Sequence, residues 1–129
     1  MKAKQIETTS APQAIGPYSQ GVSYFPFVFI SGQLPIDPKT GQLIESDIKK
    51  QVNQVLDNLL AVLQAGDCSF QDVIRCDVFV KDLRDFAIVN QEYAKRFEQV
   101  TVPPARQTIE VARLPLDALI EISCIAIKR

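Results

Sequence analysis

No histidine occurs anywhere in the 129 residues. That absence removes the Ser–His and Cys–His nucleophile pairs, together with the usual zinc and iron ligand sets. No GxGxxG or P-loop string is present, so a nucleotide cofactor has no cradle legible in the sequence. No apolar run reaches twenty residues, which argues against a membrane span, and the opening MKAKQIETTS turns polar too early for a signal peptide. Charge of one sign is also lacking. Lys and Arg number 14 against 15 Asp and Glu, with no basic block, whereas a nucleic-acid reader carries a basic stripe. Cysteine is scarce: Cys68, Cys76 and Cys124 form no CxxC pair and lie in or beside apolar stretches, as buried thiols of a reducing cytoplasm would. An enzyme with this inventory works with carboxylates, an arginine, hydroxyls, backbone groups and water. The expectation is no metal, no organic cofactor and no nucleic-acid partner.

What is present amounts to one domain, residues 1–129. A hydrophobic content of 47% in a chain of this length supplies an ordinary globular core. A short strand is read at 4–8 and a turn-rich loop in IGPYSQG (15–21). A hairpin is read around Phe25-Pro26, from strands at 22–23 and 27–31, and loop follows over 31–43. Two helices are clear. Over 46–65, Ile48, Val52, Val55, Leu56, Leu59, Val62 and Leu63 recur at spacings of three and four, with Ser46 as N-cap and Gly66 as the stop. Over 85–99 the stripe is Phe86, Val89, Tyr93 and Phe97, capped by Asp85. Between them 73–81 alternates as a strand, with Ile74, Cys76, Val78 and Val80 on one face. Strands over 106–111 and 119–128 complete an α+β domain of two layers, with both helices on one sheet face.

The strand patterns carry a further message. Phe27, Val28, Phe29 and Ile30 are apolar at consecutive positions, and the last strand is apolar on both sides. Two helices cover one face only. The other requires a second copy packed sheet against sheet, or else a fold of the 31–45 loop across it.

Few residues are placed to do chemistry. Arg106 follows a proline-stiffened approach, PPAR, and shares a strand face with Thr108 and Glu110. It is either a solvated strand-end cation or a preorganised anion clamp. Glu121 interrupts the apolar ALIEISCIAI (118–127), as a charge that guards a sheet edge or as a half-buried proton acceptor. Tyr18 is an aromatic in a turn-rich loop, either its apolar anchor or a stacking surface. Ser31 and Gly32 close an apolar strand, where glycine permits close approach of a ligand or simply a turn. Asn90 lies within the second helix.

The strings IGPYSQG (15–21), FISGQLPIDPKTG (29–41), FVKDLRDFAIVNQEY (79–93), PPARQTIEVARLP (103–115) and ALIEISCIAI (118–127) resemble the reactive-intermediate deaminase family, also called YjgF or Rid. The resemblance spans nearly the whole chain, in order and spacing. It implies a chorismate-mutase-like fold and a cytoplasmic homotrimer with clefts between subunits. The implied activity is hydrolysis of enamines and imines, such as 2-aminoacrylate and 2-imino acids released by pyridoxal-phosphate enzymes, to 2-oxo acids and ammonia. On that resemblance Arg106 grips the substrate carboxylate and Glu121 orients the attacking water. Tyr18, Ser31, Gly32, Asn90 and Thr108 line the pocket, and no metal or cofactor takes part. Many relatives have cysteine where this chain has Thr108, and charges where it has Leu116 and Ser123, departures that bear on substrate preference. Ribonuclease or translation-inhibitor activity, assigned to some similar proteins, and a ligand-sensing or chaperone-like module without turnover are the alternatives.

Overall fold

The computed structural model describes residues 2–129. In chain order the elements are β1 (Lys4–Ile6), β2 (Gly21–Tyr24), β3 (Phe27–Gln33), β4 (Ile36–Asp37), β5 (Gln42–Leu43), α1 (Ile48–Ala65), β6 (Val73–Val80), α2 (Phe86–Phe97), β7 (Ala105–Glu110) and β8 (Ile120–Ile127). Six strands form one sheet in the order β1-β2-β3-β8-β6-β7, and β4 and β5 pair separately. Every pairing in the main sheet is antiparallel except β6 with β7, which α2 connects as a crossover. The α+β reading, with both helices on one face, holds.

The helices form where their periodicity places them, with different caps. Asp47, not Ser46, caps α1, its carboxylate accepting from the Lys50 backbone N–H at 3.0 Å. The one-residue shift costs nothing in burial, since Val52, Val55, Leu56, Leu59, Val62 and Leu63 are all fully buried. At the other end Gly66 donates back to Val62 and Leu63, and Asp67 takes the left-handed turn at φ 61°. Helix α2 begins after a single 3₁₀ turn, Leu83–Asp85. Asp82 caps that turn, while Asp85 makes no side-chain cap bond, contrary to the expectation for Asp85.

Strand β6 departs at its start from the expected alternation. A bulge between Val73 and Arg75, against β8, turns Ile74 away from the helices and leaves it 43% exposed, and Val73 is buried instead. From Cys76 onward the alternation holds, and Cys76, Val78 and Val80 pack beneath the helices with Ile120, Ile122 and Cys124 of β8. All three cysteines are free and buried.

The 34–45 segment does not cover the second sheet face. Two buried amides of α1 hold it to the helix layer. The Asn58 side chain donates to the carbonyls of Leu34 (3.0 Å) and Ile36 (2.9 Å), and Gln51 donates to the Glu45 carbonyl (3.1 Å). Within it β4 and β5 form a small hairpin where loop is expected. The far face therefore stays open, with Phe27 and Phe29 40% and 45% exposed and their rings stacked 6.1 Å apart. Ile125 and Ile127 of β8 pair with them in register.

Candidate functional site

The candidate residues gather into two groups, on opposite faces of the sheet. The first is built around Arg106. Strand β7 is one of the two edge strands of the sheet and runs parallel to β6, with Arg106 opposite Cys76 and Thr108 opposite Val78. Aligned residues of neighbouring strands point the same way. Arg106 and Thr108 therefore point to the helix side, as the buried Cys76 and Val78 do. There the guanidinium carbon lies 4.8 Å from the centre of the Tyr93 ring and 5.8 Å from that of Phe86. Both rings belong to α2. Asn90, four residues after Phe86 and three before Tyr93, falls on the same helical stripe.

Arg106 differs from every other arginine of the chain. The sequence contains six. Arg75, Arg84, Arg96, Arg113 and Arg129 each pair with an aspartate, at 2.7 to 3.1 Å. Arg106 has no carboxylate and no hydrogen-bond acceptor among the described residues, only aromatic faces. Beside it, the Thr108 and Tyr93 hydroxyls are buried without hydrogen-bond partners. Burial, reinforced by the Cys76 thiol, pushes the Tyr93 hydroxyl far above its ordinary range, and burial pushes the Cys76 thiol up as well. Both stay protonated and neutral, so neither is an activated nucleophile. The charge of this group is the single cation of Arg106.

The second group surrounds Glu121. On β8, Glu121 alternates with the buried Ile120 and Ile122 and pairs with Phe79 of β6, so it points to the open face. Its carboxylate lies against Gly32. A β-carbon on that glycine would come within 2.5 Å of Oε2 and 2.8 Å of Cδ, so only glycine leaves the carboxylate this seat. Gly32 occupies an irregularity in the β3–β8 pairing between Ile30 and Gln33, which opens the space. Burial raises the Glu121 carboxyl above its ordinary value, and desolvation alone is the cause.

The loop of 15–20 closes this group on one side. The Ser31 hydroxyl donates to the Ser19 carbonyl at 2.6 Å and its backbone N–H to the Gln20 carbonyl at 2.9 Å, so Ser31 fixes the loop on the strand end. Gln20, which the sequence reading passed over, does the same from inside. Its buried side chain accepts from the Thr8 N–H (2.7 Å) and donates to the carbonyl of Pro12 (2.8 Å). A buried amide with a local partner set leaves no periodic signal in a sequence. Tyr18 is 53% exposed, and its hydroxyl accepts from the Ile15 N–H at 3.3 Å. The result is a cleft of about 570 Å³ whose lining includes Tyr18, Ser31, Gly32 and Glu121. Ile15, Ile36 and Leu116 make its apolar wall. Leu116 reaches it from a left-handed turn, φ 58°, followed by Asp117 at φ 55°. Such backbone costs about 1 kcal/mol or more per non-glycine residue.

The structure thus brings Tyr18, Ser31, Gly32 and Glu121 together, and separately Arg106, Thr108 and Asn90. It does not join the two groups within one chain, because the sheet lies between them. No cluster of three or more His, Cys, Asp or Glu residues able to hold a metal is found among the described residues. No described helix is long and apolar enough to cross a membrane.

Comparison with known proteins places relatives of differing names over nearly the whole chain. A family description, Endoribonuclease L-PSP, matches residues 8–128. A RutC family protein of Pyrococcus horikoshii is 51% identical over 95% of this chain and 96% of its own. A 2-iminobutanoate/2-iminopropanoate deaminase of Salmonella typhimurium is 48% identical over 98% of this chain and 99% of its own. Among solved structures, Escherichia coli TdcF with bound serine superposes with a TM-score of 0.93 at 44% identity, covering 98% of this chain and 99% of that one.

Proposed function

The chain belongs to the endoribonuclease L-PSP family, also called YjgF or Rid, and we propose that it hydrolyses 2-imino acids and their enamine tautomers to 2-oxo acids and ammonia. The observation that carries the reading is Arg106, the one arginine of six without a carboxylate partner among the described residues. A guanidinium that lies over aromatic rings and meets no acceptor among the described residues keeps its N–H groups available to make two parallel bonds to an α-carboxylate. Support also comes from relatives 47–48% identical that are named 2-iminobutanoate/2-iminopropanoate deaminase.

The chemistry asks little of the protein. A protonated imine carbon is already electrophilic, so holding the carboxylate and placing a water accounts for most of the catalysis. The water oxygen bonds to the imine carbon while the C=N electron pair moves to nitrogen. Glu121 takes the water proton, a role for which a carboxyl raised by burial is better suited than an ordinary one. The same proton then passes to nitrogen and the carbon–nitrogen bond breaks, while the remaining hydroxyl proton goes to Glu121 as the carbonyl forms and leaves with the ammonia as ammonium. Imine and water yield oxo acid and ammonia, with no electrons gained or lost.

In this reading the working unit is a homotrimer. Arg106 and Glu121 point to opposite faces of their own sheet, so a substrate that touches both lies between two protomers. The Arg106 group comes from one and the Glu121 cleft from its neighbour, and the open face of Phe27, Phe29, Ile125 and Ile127 is covered in the assembly. The test is ammonia release from 2-iminobutanoate or 2-iminopropanoate generated in situ, compared with spontaneous hydrolysis. Acceleration by catalytic amounts of trimer supports the reading. A properly assembled trimer that leaves the spontaneous rate unchanged would overturn it.

A further inference from the structure

We propose that Tyr93 is a positioning residue for Arg106, its ring seating the guanidinium for carboxylate recognition. The inference rests on the deaminase reading for its consequence but not for its geometry. Tyr93 belongs to a column of aromatic rings that runs out of the core. Phe70 and Phe97 lie 4.7 Å apart between ring centres, Phe97 and Tyr93 are stacked at 4.4 Å and 18°, and Arg106 comes next at 4.8 Å from Tyr93. Tyr93 and Phe97 are 8% and 6% exposed, so the column is fixed by packing and cannot follow the cation about. Phe86, 39% exposed, meets the guanidinium from the outer side at 5.8 Å.

The ordinary way to hold an arginine is a carboxylate, and the other five arginines are held so. At a carboxylate-binding site that solution defeats itself, because an internal acid would occupy the donors and neutralise the charge the ligand needs. An aromatic face orients the plane while leaving the in-plane N–H groups unused. The Tyr93 hydroxyl makes no hydrogen bond to Arg106 and its polar neighbour is the Cys76 thiol, so it is the ring face that meets the guanidinium.

The test compares Tyr93→Phe, which keeps the ring face, with Tyr93→Leu, which removes it. In the unliganded trimer the Arg106 Hε resonance, assigned by its loss in Arg106→Lys, should carry a ring-current shift in wild type and in Tyr93→Phe. Tyr93→Leu should reduce it to the smaller part that Phe86 supplies. In ammonia-release kinetics Tyr93→Phe should stay within about threefold of wild type, while Tyr93→Leu should lower kcat/KM by about tenfold, equal to about 1.4 kcal/mol. In an Arg106→Lys background, where the planar fork is already gone, the same Leu substitution should cost less than about threefold. An unshifted Hε in wild type overturns the proposal whatever the activity. An equal tenfold loss in both backgrounds also overturns it, since Tyr93 then supports the fold and not the arginine. If Tyr93→Leu fails to assemble, the wild-type and Tyr93→Phe resonances decide the matter. The expected resonance pattern in a wild type without turnover would sink the deaminase reading alone and leave the seating of Arg106 upheld.

Discussion

Arg106→Lys keeps the charge and nearly the reach, and for that reason separates a clamp from a solvated cation. Two contributions are lost. The first is the planar fork, since lysine offers one point of attraction where arginine offers two parallel charge-assisted bonds, a difference of about 1.5–3 kcal/mol for the second bond. The second is the fit of a flat cation against the rings of Tyr93 and Phe86, at 4.8 and 5.8 Å. Lysine retains part of that attraction, so its loss is about 0.5–1 kcal/mol. Together they come to about 2–4 kcal/mol, or roughly 30- to 1,000-fold in kcat/KM, with the centre near 10²-fold. Both kcat and KM should worsen, because a carboxylate held at the wrong angle leaves the imine carbon out of line with the water. Melting temperature should fall by no more than a few degrees, since Arg106 makes no ion pair among the described residues that lysine could break and only the contact with the rings is weakened. The assay is ammonia release from freshly generated 2-iminopropanoate, after sedimentation has confirmed the assembly. Wild-type kinetics in an assembled Arg106→Lys protein would refute the clamp and restore the solvated strand-end cation.

Other substitutions test the opposite face. Glu121→Gln should slow turnover by about 10²–10⁴-fold, the span for a positioned base. Because burial raises the Glu121 carboxyl, its ionisation opposes folding as pH rises through that raised value, and the penalty is absent once both states are protonated. The Gln variant should therefore melt no lower than wild type at pH 7, with any advantage vanishing below about pH 4, and a lower melting temperature at pH 7 would contradict this. For the same reason the acid limb of kcat/KM in wild type should lie above the ordinary carboxylate range, and a limb inside that range would exclude Glu121 as the base. Gly32→Ala should push the carboxylate out of its seat and lower kcat at least about tenfold while the protein stays folded; unchanged kcat would free Glu121 from Gly32. Leu116→Lys places a cation in the cleft that holds Glu121 and should move the acid limb to lower pH, whereas an unmoved limb would place that side chain away from the carboxylate.

What the sequence disclosed is what periodicity can disclose. Seven apolar residues at helical spacing define α1, and strict alternation in β8 places Glu121 on the face opposite Ile120 and Ile122. The uncovered apolar face was legible from Phe27 and Phe29 for the same reason. Local chemistry was less legible. Ser46 and Asp47 are both good N-caps, and which one bonds depends on how the β5 segment enters the helix. The Ile74 bulge breaks the period of two without any glycine or proline to announce it. The separation of Arg106 from Glu121 was beyond reach, because parity within each strand is readable but the register of β7 on β6 and of β6 on β8 is not. The stripe holding Tyr93 is legible as the apolar face of the second helix, and Val89, Tyr93 and Phe97 of it are buried. Only the fold reveals that its outer ring carries an arginine.

The division of the site between two protomers is the central claim, and subunit mixing tests it most directly. Arg106→Ala protein retains every Glu121, and Glu121→Gln protein retains every Arg106, while each alone should be nearly inactive. After denaturation and joint refolding at equal amounts, sites that draw arginine from one parent and glutamate from the other become whole. Random assembly gives about a quarter of the wild-type sites, and ammonia release should recover to about that fraction. A mixed assembly no more active than the sum of its parents would show that one chain must supply both residues, and the two-protomer site would fall.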